Sequence, residues 1–175
     1  MARVPEAAGT GEIADRIRHR RAGGVLRPLD HVLLHAPQAA DGWNSLLGAL
    51  RAGEFLPADL RELAILRVAV LNDAAYEWDA HLPDAAAAGL GPAQLAQLRI
   101  AGGKGADVFT PLQAAALRLT DAMTRDLRVP DDLFADLRAR LGVGALVELA
   151  VVIAAYNMVS RLIVALGITS TDGAS

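Results

Sequence analysis

Apolar residues recur every three or four positions through most of the chain, and breaks in that rhythm mark the elements. Ile13 and Ile17 share one face of a helix that Thr10 is placed to cap and "AGG" at 22–24 ends. A short helical segment covers Leu29 to His35 and stops before Pro37. "AADGWNSLLGAL" sets Trp43, Leu46, Leu47 and Leu50 at helical spacing, with Gly53 as the stop. Pro57 opens a helix with Leu60, Leu63, Ala64, Val68 and Leu71 on its apolar rhythm, and Asn72-Asp73 breaks it before a second helix running to Gly89. Gly91-Pro92 starts a short helix, and "GGKG" at 102–105 reads as a flexible connector. Thr110-Pro111 with Gln113 has the form of a cap and first-turn proline for a helix to about Leu127. Pro130 opens the next, which Gly142 and Gly144 separate from a long apolar helix ending near Gly167. No alternating segment is long enough for a sheet. The pattern predicts an all-α protein, a compact bundle of eight or nine helices with a central antiparallel hairpin formed by the helices on either side of Asn72-Asp73.

Composition supports this. Of 175 residues 53% are hydrophobic and only 4% aromatic, so the core is filled by Ala, Leu, Val and Ile, the first two strong helix formers. The length suits one domain able to bury about 70% of its unfolded surface. The expected organisation is an N-terminal helical arm over 1–28, a single domain over 29–170 and a flexible tail over 171–175. The net charge of -3 and scattered arginines exclude the basic stripe of a nucleic-acid binder. The absence of cysteine excludes disulfides, thiolate metal sites and thiol redox chemistry. The N-terminus carries charges throughout and no apolar core of a signal peptide, so a cytoplasmic protein is expected. The apolar run Ala145–Leu166 is interrupted by Glu148, Asn157 and Arg161, which suits a central buried helix better than a membrane span. "ELA" at 62–64 and at 148–150 is a faint hint of a repeated hairpin.

The polar residues inside the predicted hairpin carry the candidate chemistry. Asp73, Glu77 and His81 are spaced i, i+4, i+8 and so share a helix face, and folding back at Asn72-Asp73 brings Glu62 near Glu77 or His81. Three such groups in a partly desolvated pocket make an acid/base site, because a nearby carboxylate favours imidazolium while burial alone favours neutral imidazole. Pro83 lacks the N–H that would bond the Asp79 carbonyl, which predicts a kink or local opening beside the histidine. Two other readings use the same residues. Glu77 and His81 also suit a solvated i, i+4 pair, and Glu-x-x-x-His with Glu62 is acceptable metal-ligand geometry, though no second histidine is suitably spaced, His31 and His35 lying far upstream. No metal is expected. Ser45 and Ser160 lie in no nucleophile elbow, and "GGKG" lacks the context of a phosphate loop.

"LLHAPQAADGWNSL", "LRELAILRVAVLNDAAYEWDAHLPDAAAAGL" and "YNMVSRLIVALG" together resemble the carboxymuconolactone decarboxylase-like family, which includes the alkylhydroperoxidase D-type proteins, from about Leu29 to Gly167. The resemblance implies an alkylhydroperoxidase D-like helical fold. In the redox branch a glutamate, a Cys-x-x-Cys and a histidine form a proton relay that activates a thiol. Carried over, the glutamate falls at Glu62, the cysteine positions at Ala74 and Glu77, and the histidine at His81. Both thiols are missing, so the chain looks closer to the decarboxylase branch, whose chemistry needs no cofactor. The resemblance implies a small carboxylated or lactone-like substrate, His81 as proton shuttle, Glu62 as the group that orients it and Glu77 as a second acid or base. Asp73, Tyr76, Trp78, His35, Trp43, Tyr156 and Asn157 are candidates for the pocket wall, and a homo-oligomer, trimer or hexamer, is implied. A related biosynthetic cyclase or isomerase, or a non-catalytic helical oligomer that binds a ligand, would carry the same residues.

Overall fold

The structure, a computed structural model, describes residues 2–100 and 106–169. The connector at 102–105 and the tail at 171–175 lie outside the described residues. Among those residues there are eight α-helices and no strand: α1 (Glu12–Arg20), α2 (Pro28–Leu33), α3 (Pro37–Arg51), α4 (Ala58–Leu71), α5 (Ala75–Ala87), α6 (Pro92–Leu98), α7 (Pro111–Asp121) and α8 (Asp131–Leu166). They fall into two compact units, residues 2–52 with 162–169 and residues 53–161. The expected boundary at 28/29 lies within the first of these.

In the first unit Ala14 and Ile17 of α1 bury with Leu26 and Ala40, and Ile13, Leu33 and Leu34 pack around them. The apolar face of α1 therefore shares a core with residues of α2 and α3. The buried Asp30 accepts both branches of the Arg21 guanidinium, at 2.6 and 2.9 Å, and the Arg27 N–H at 2.8 Å. Thr10 is not the cap of α1; Gly11 occupies that position at φ 100°, where a side chain is strained, and makes no side-chain cap bond.

The second unit is built around α4, whose Leu60, Leu63, Ala64, Ile65, Leu66, Val68 and Ala69 are all buried. A helix apolar on every side is enclosed on every side. Arg67 is also fully buried, and it is fully satisfied: its fork meets the Asp121 carboxylate at 2.6 and 2.7 Å and donates to the Leu98 carbonyl at 2.9 Å. This joins α4 to α7 and to the end of α6. The predicted cap of α7 is present, with Thr110 Oγ1 accepting the Gln113 N–H at 3.2 Å and Gln113 Oε1 accepting the Thr110 N–H at 3.0 Å.

α8 departs from the expectation of a central buried helix. It is broken at Gly142 (φ 75°), and while Leu146, Leu149, Val152, Ile153, Tyr156 and Val159 are buried, Val143, Val147, Val151 and Met158 form an exposed stripe. Length and composition alone would let α8 cross a membrane, but half of its most apolar window is buried within the protein. Glu148 accepts the Leu56 N–H at 2.8 Å, and Arg161 is exposed.

Candidate functional site

The turn between α4 and α5 sets the site. Asn72 ends α4, Asp73 takes the left-handed conformation at φ 53°, and the Asp73 and Ala74 N–H groups bond the Val70 and Ala69 carbonyls at 3.3 and 2.8 Å. This is a Schellman closure, which satisfies the last carbonyls of α4 and turns the chain back on itself. The turn is fastened by Asn72, whose Nδ2 donates to Asn157 Oδ1 at 3.0 Å and Ser160 Oγ at 2.7 Å on α8. α5 then runs antiparallel to α4, and its helix continues through Pro83 to Ala87.

The hairpin brings Glu62, Glu77 and His81 together. His81, 2% exposed, contacts Glu62 Oε2 through Nδ1 at 2.8 Å, and its Nε2 lies 3.5 Å from Glu77 Oε2. Glu62 and Glu77 are buried as well. The 2.8 Å contact is a hydrogen bond; 3.5 Å is too long for a good one and leaves Nε2 the less committed nitrogen. Tyr156 of α8 closes one side, its ring edge-on to the imidazole at 5.1 Å and 85°. A carboxylate holding Nδ1 fixes the ring and its tautomer, so the other nitrogen can exchange a proton, while burial keeps bulk water from levelling the interactions.

The remaining candidates are placed unevenly. Tyr76 is buried on α5. Asp73 is not on the Glu77–His81 face, because its left-handed conformation precedes the first turn of α5. It lines instead a cleft of about 200 Å³ with Ala74, Trp78 and Arg99. Asn157 is held in the turn network: it donates to Thr124 Oγ1 at 2.9 Å and to the Ile153 carbonyl at 3.0 Å, as well as accepting from Asn72. His35 and Trp43 belong to the first unit, where His35 is exposed and its Nε2 contacts the Pro5 carbonyl at 2.8 Å.

Two features escape a reading by spacing. Asp84, three residues beyond His81, brings a carboxylate to the same place, so that donor atoms of Glu62, His81 and Asp84 lie within 4.8 Å of one another, which could hold one cation. The i, i+3 relation of His81 and Asp84 was the available signal. Arg99 lies over the ring of Trp78 at 4.2 Å, a contact between α5 and the residue that ends α6, which no local spacing announces.

Comparison with known proteins gives a family similarity over part of the chain and a fold. Residues 37–122 match the model of the carboxymuconolactone decarboxylase family. No curated protein matches the sequence. A crystal structure from Agrobacterium tumefaciens, of a protein of unknown function described as a candidate antioxidant defence protein AhpD, is similar at 24% identity with a TM-score of 0.71, covering 79% of this chain and 94% of that one. That likeness is one of fold. The matched segment spans α3 to α7 and contains Glu62, Glu77 and His81, so the chain is similar to the carboxymuconolactone decarboxylase family over those elements, and it carries no cysteine.

Proposed function

We propose that this protein is an acid/base lyase, independent of an organic cofactor, that acts on a small carboxylated or lactone-like substrate. The observation that carries the reading is the buried contact of Glu62, His81 and Glu77. In decarboxylation the bond from carbon to the substrate carboxylate breaks and carbon dioxide leaves. The electron pair passes into a conjugated carbonyl, and a proton delivered to carbon completes the reaction. His81 Nε2 supplies that proton, Glu62 holds the ring through Nδ1, and Glu77 returns a proton to Nε2. Exclusion of water favours loss of the carboxylate charge as carbon dioxide. The same groups serve a cyclase or isomerase that removes and returns a proton at carbon. A thiol peroxidase is excluded by the absence of cysteine.

The test is carbon dioxide release from a panel of lactone acids that includes 4-carboxymuconolactone. Wild type should turn over at least one, and His81→Gln should lose ~10²–10⁴-fold in kcat while keeping its helical circular dichroism. A folded His81→Gln protein with unchanged turnover would favour the alternative of a non-catalytic ligand-binding oligomer. A second reading rests on the Glu62, His81 and Asp84 donors: there the three hold a divalent cation. Elemental analysis of protein purified without chelators separates the two, the proton relay expecting no stoichiometric transition metal.

The exposed stripe of α8 supports assembly. Val143, Val147, Val151 and Met158 recur at helical spacing and are 39–68% exposed, an apolar strip that a second copy of the chain would cover.

A further inference from the structure

We propose that the cleft between the start of α5 and the end of α6 binds a small hydroxy- or amino-carboxylate, at a place separate from the Glu62–His81–Glu77 cluster. The cleft is lined by Ala69, Val70, Asp73, Ala74, Ala75, Trp78 and Arg99 and has a volume of about 200 Å³. That is room for roughly six or seven waters at ~30 Å³ each, the size of a short organic acid. Trp78 follows Glu77 by one residue and so points about 100° away around the helix, which sets the cleft apart from the acid/base cluster.

Two charged groups of the cleft are unpaired among the described residues. Trp78, 5% exposed, contributes an aromatic wall to the cleft. Arg99 is exposed and stacks on that ring, but its guanidinium meets no carboxylate among the described residues. The carboxylate of Asp73, exposed at the left-handed turn, likewise has no ion-pair or hydrogen-bond partner among them. A cation and an anion thus line one small cavity without joining each other, over an apolar floor of Ala69, Val70 and Ala74. A ligand that answers both charges carries a carboxylate for the Arg99 fork, a donor such as hydroxyl or ammonium for Asp73, and a short apolar body. A pure anion would meet Asp73 unfavourably, and a pure cation would meet Arg99.

The test is fluorescence titration of the full chain carrying Trp43→Phe, which leaves Trp78 as the sole tryptophan. The probes are L-lactate and L-serine, with propionate and ethanolamine as controls that each lack one of the two charged or donor groups. Lactate or serine should change Trp78 emission saturably. Arg99→Gln should weaken that binding at least tenfold, and Asp73→Asn, which the left-handed turn accepts, should reduce the preference for lactate or serine over propionate. No saturable change with either probe overturns the proposal, as does equal binding to Arg99→Gln. Propionate binding as tightly as lactate overturns the role of Asp73. Arg99 and Asp73 are both exposed, so circular dichroism of the variants should match that of the parent.

Discussion

At the scale of single residues, His81 is held by one short contact and one long one. Because Glu62 takes Nδ1 at 2.8 Å and Glu77 stands 3.5 Å from Nε2, the two glutamates should not be equivalent. Glu62→Gln keeps an acceptor oxygen but loses the charge that stabilises an imidazolium. It should lower kcat ~10–100-fold with little change in KM, as loss of a partner that orients a working histidine does. Glu77→Gln should slow proton return and so depend on the solvent isotope more strongly than wild type. Steady-state kinetics in light and heavy water check both, and equal kinetics for the two variants would contradict the assigned division of roles. Leu127 offers a test of the backbone. It is 79% exposed and held at φ 60° after the π-helical turn Ala122–Asp126, a conformation that costs a residue with a side chain roughly 1–2 kcal/mol. Leu127→Gly relieves that strain against ~0.5–1 kcal/mol of lost chain entropy, so chemical denaturation should show a protein no less stable than wild type and up to about 1 kcal/mol more so.

At the scale of elements, the hairpin depends on contacts that the sequence reveals only in part. Asn72 is one side chain serving two acceptors on α8, and Asn72→Ala leaves Asn157 Oδ1 and Ser160 Oγ in a partly closed site without their donor. Thermal unfolding should register a loss of about 1–3 kcal/mol, with the turn geometry and His81 affected in turn. Arg67→Ala is more severe, since it removes the donor to the Leu98 carbonyl and leaves Asp121 only the 3.6 Å contact of Arg125, and should cost ~3–5 kcal/mol. The helix boundaries were legible because proline, glycine and cap residues act locally: Thr110 with Gln113, Pro57, Gly91-Pro92 and Asn72-Asp73 all fall where the elements begin or end. The meeting of Glu62 with Glu77 and His81 was legible too, since a short turn between two helices leaves few ways to fold. What depends on distant partners was not. The Asn157 amide, the Arg67 fork and the stacking of Arg99 on Trp78 are contacts between elements far apart in sequence, and Asp73 was misplaced because periodic spacing assumes a helix that its left-handed turn has not yet begun.

At the scale of the whole molecule, α8 is less enclosed than its apolar sequence predicts. The more apolar α8 was expected at the centre, but α4, which carries Glu62 and Arg67, is the one enclosed, while α8 leaves a strip of valine and methionine exposed. Mean apolarity does not separate a helix buried in its own chain from one that is covered by another copy. Val147→Glu with Val151→Glu places two charges on that strip without touching Tyr156, so light scattering should find a smaller assembly than wild type. An unchanged mass would show that α8 lies outside the contact. The central claim, that the Glu62–His81–Glu77 cluster moves a proton to and from carbon, is tested most directly by the reverse of the protonation step. A lactone product of decarboxylation is incubated with the protein in heavy water, and the proton resonance of the carbon next to the conjugated carbonyl is followed. Wild type should exchange that hydrogen for deuterium, and His81→Gln should do so at least a hundredfold more slowly; no exchange by wild type, or the same rate in both, would contradict the account.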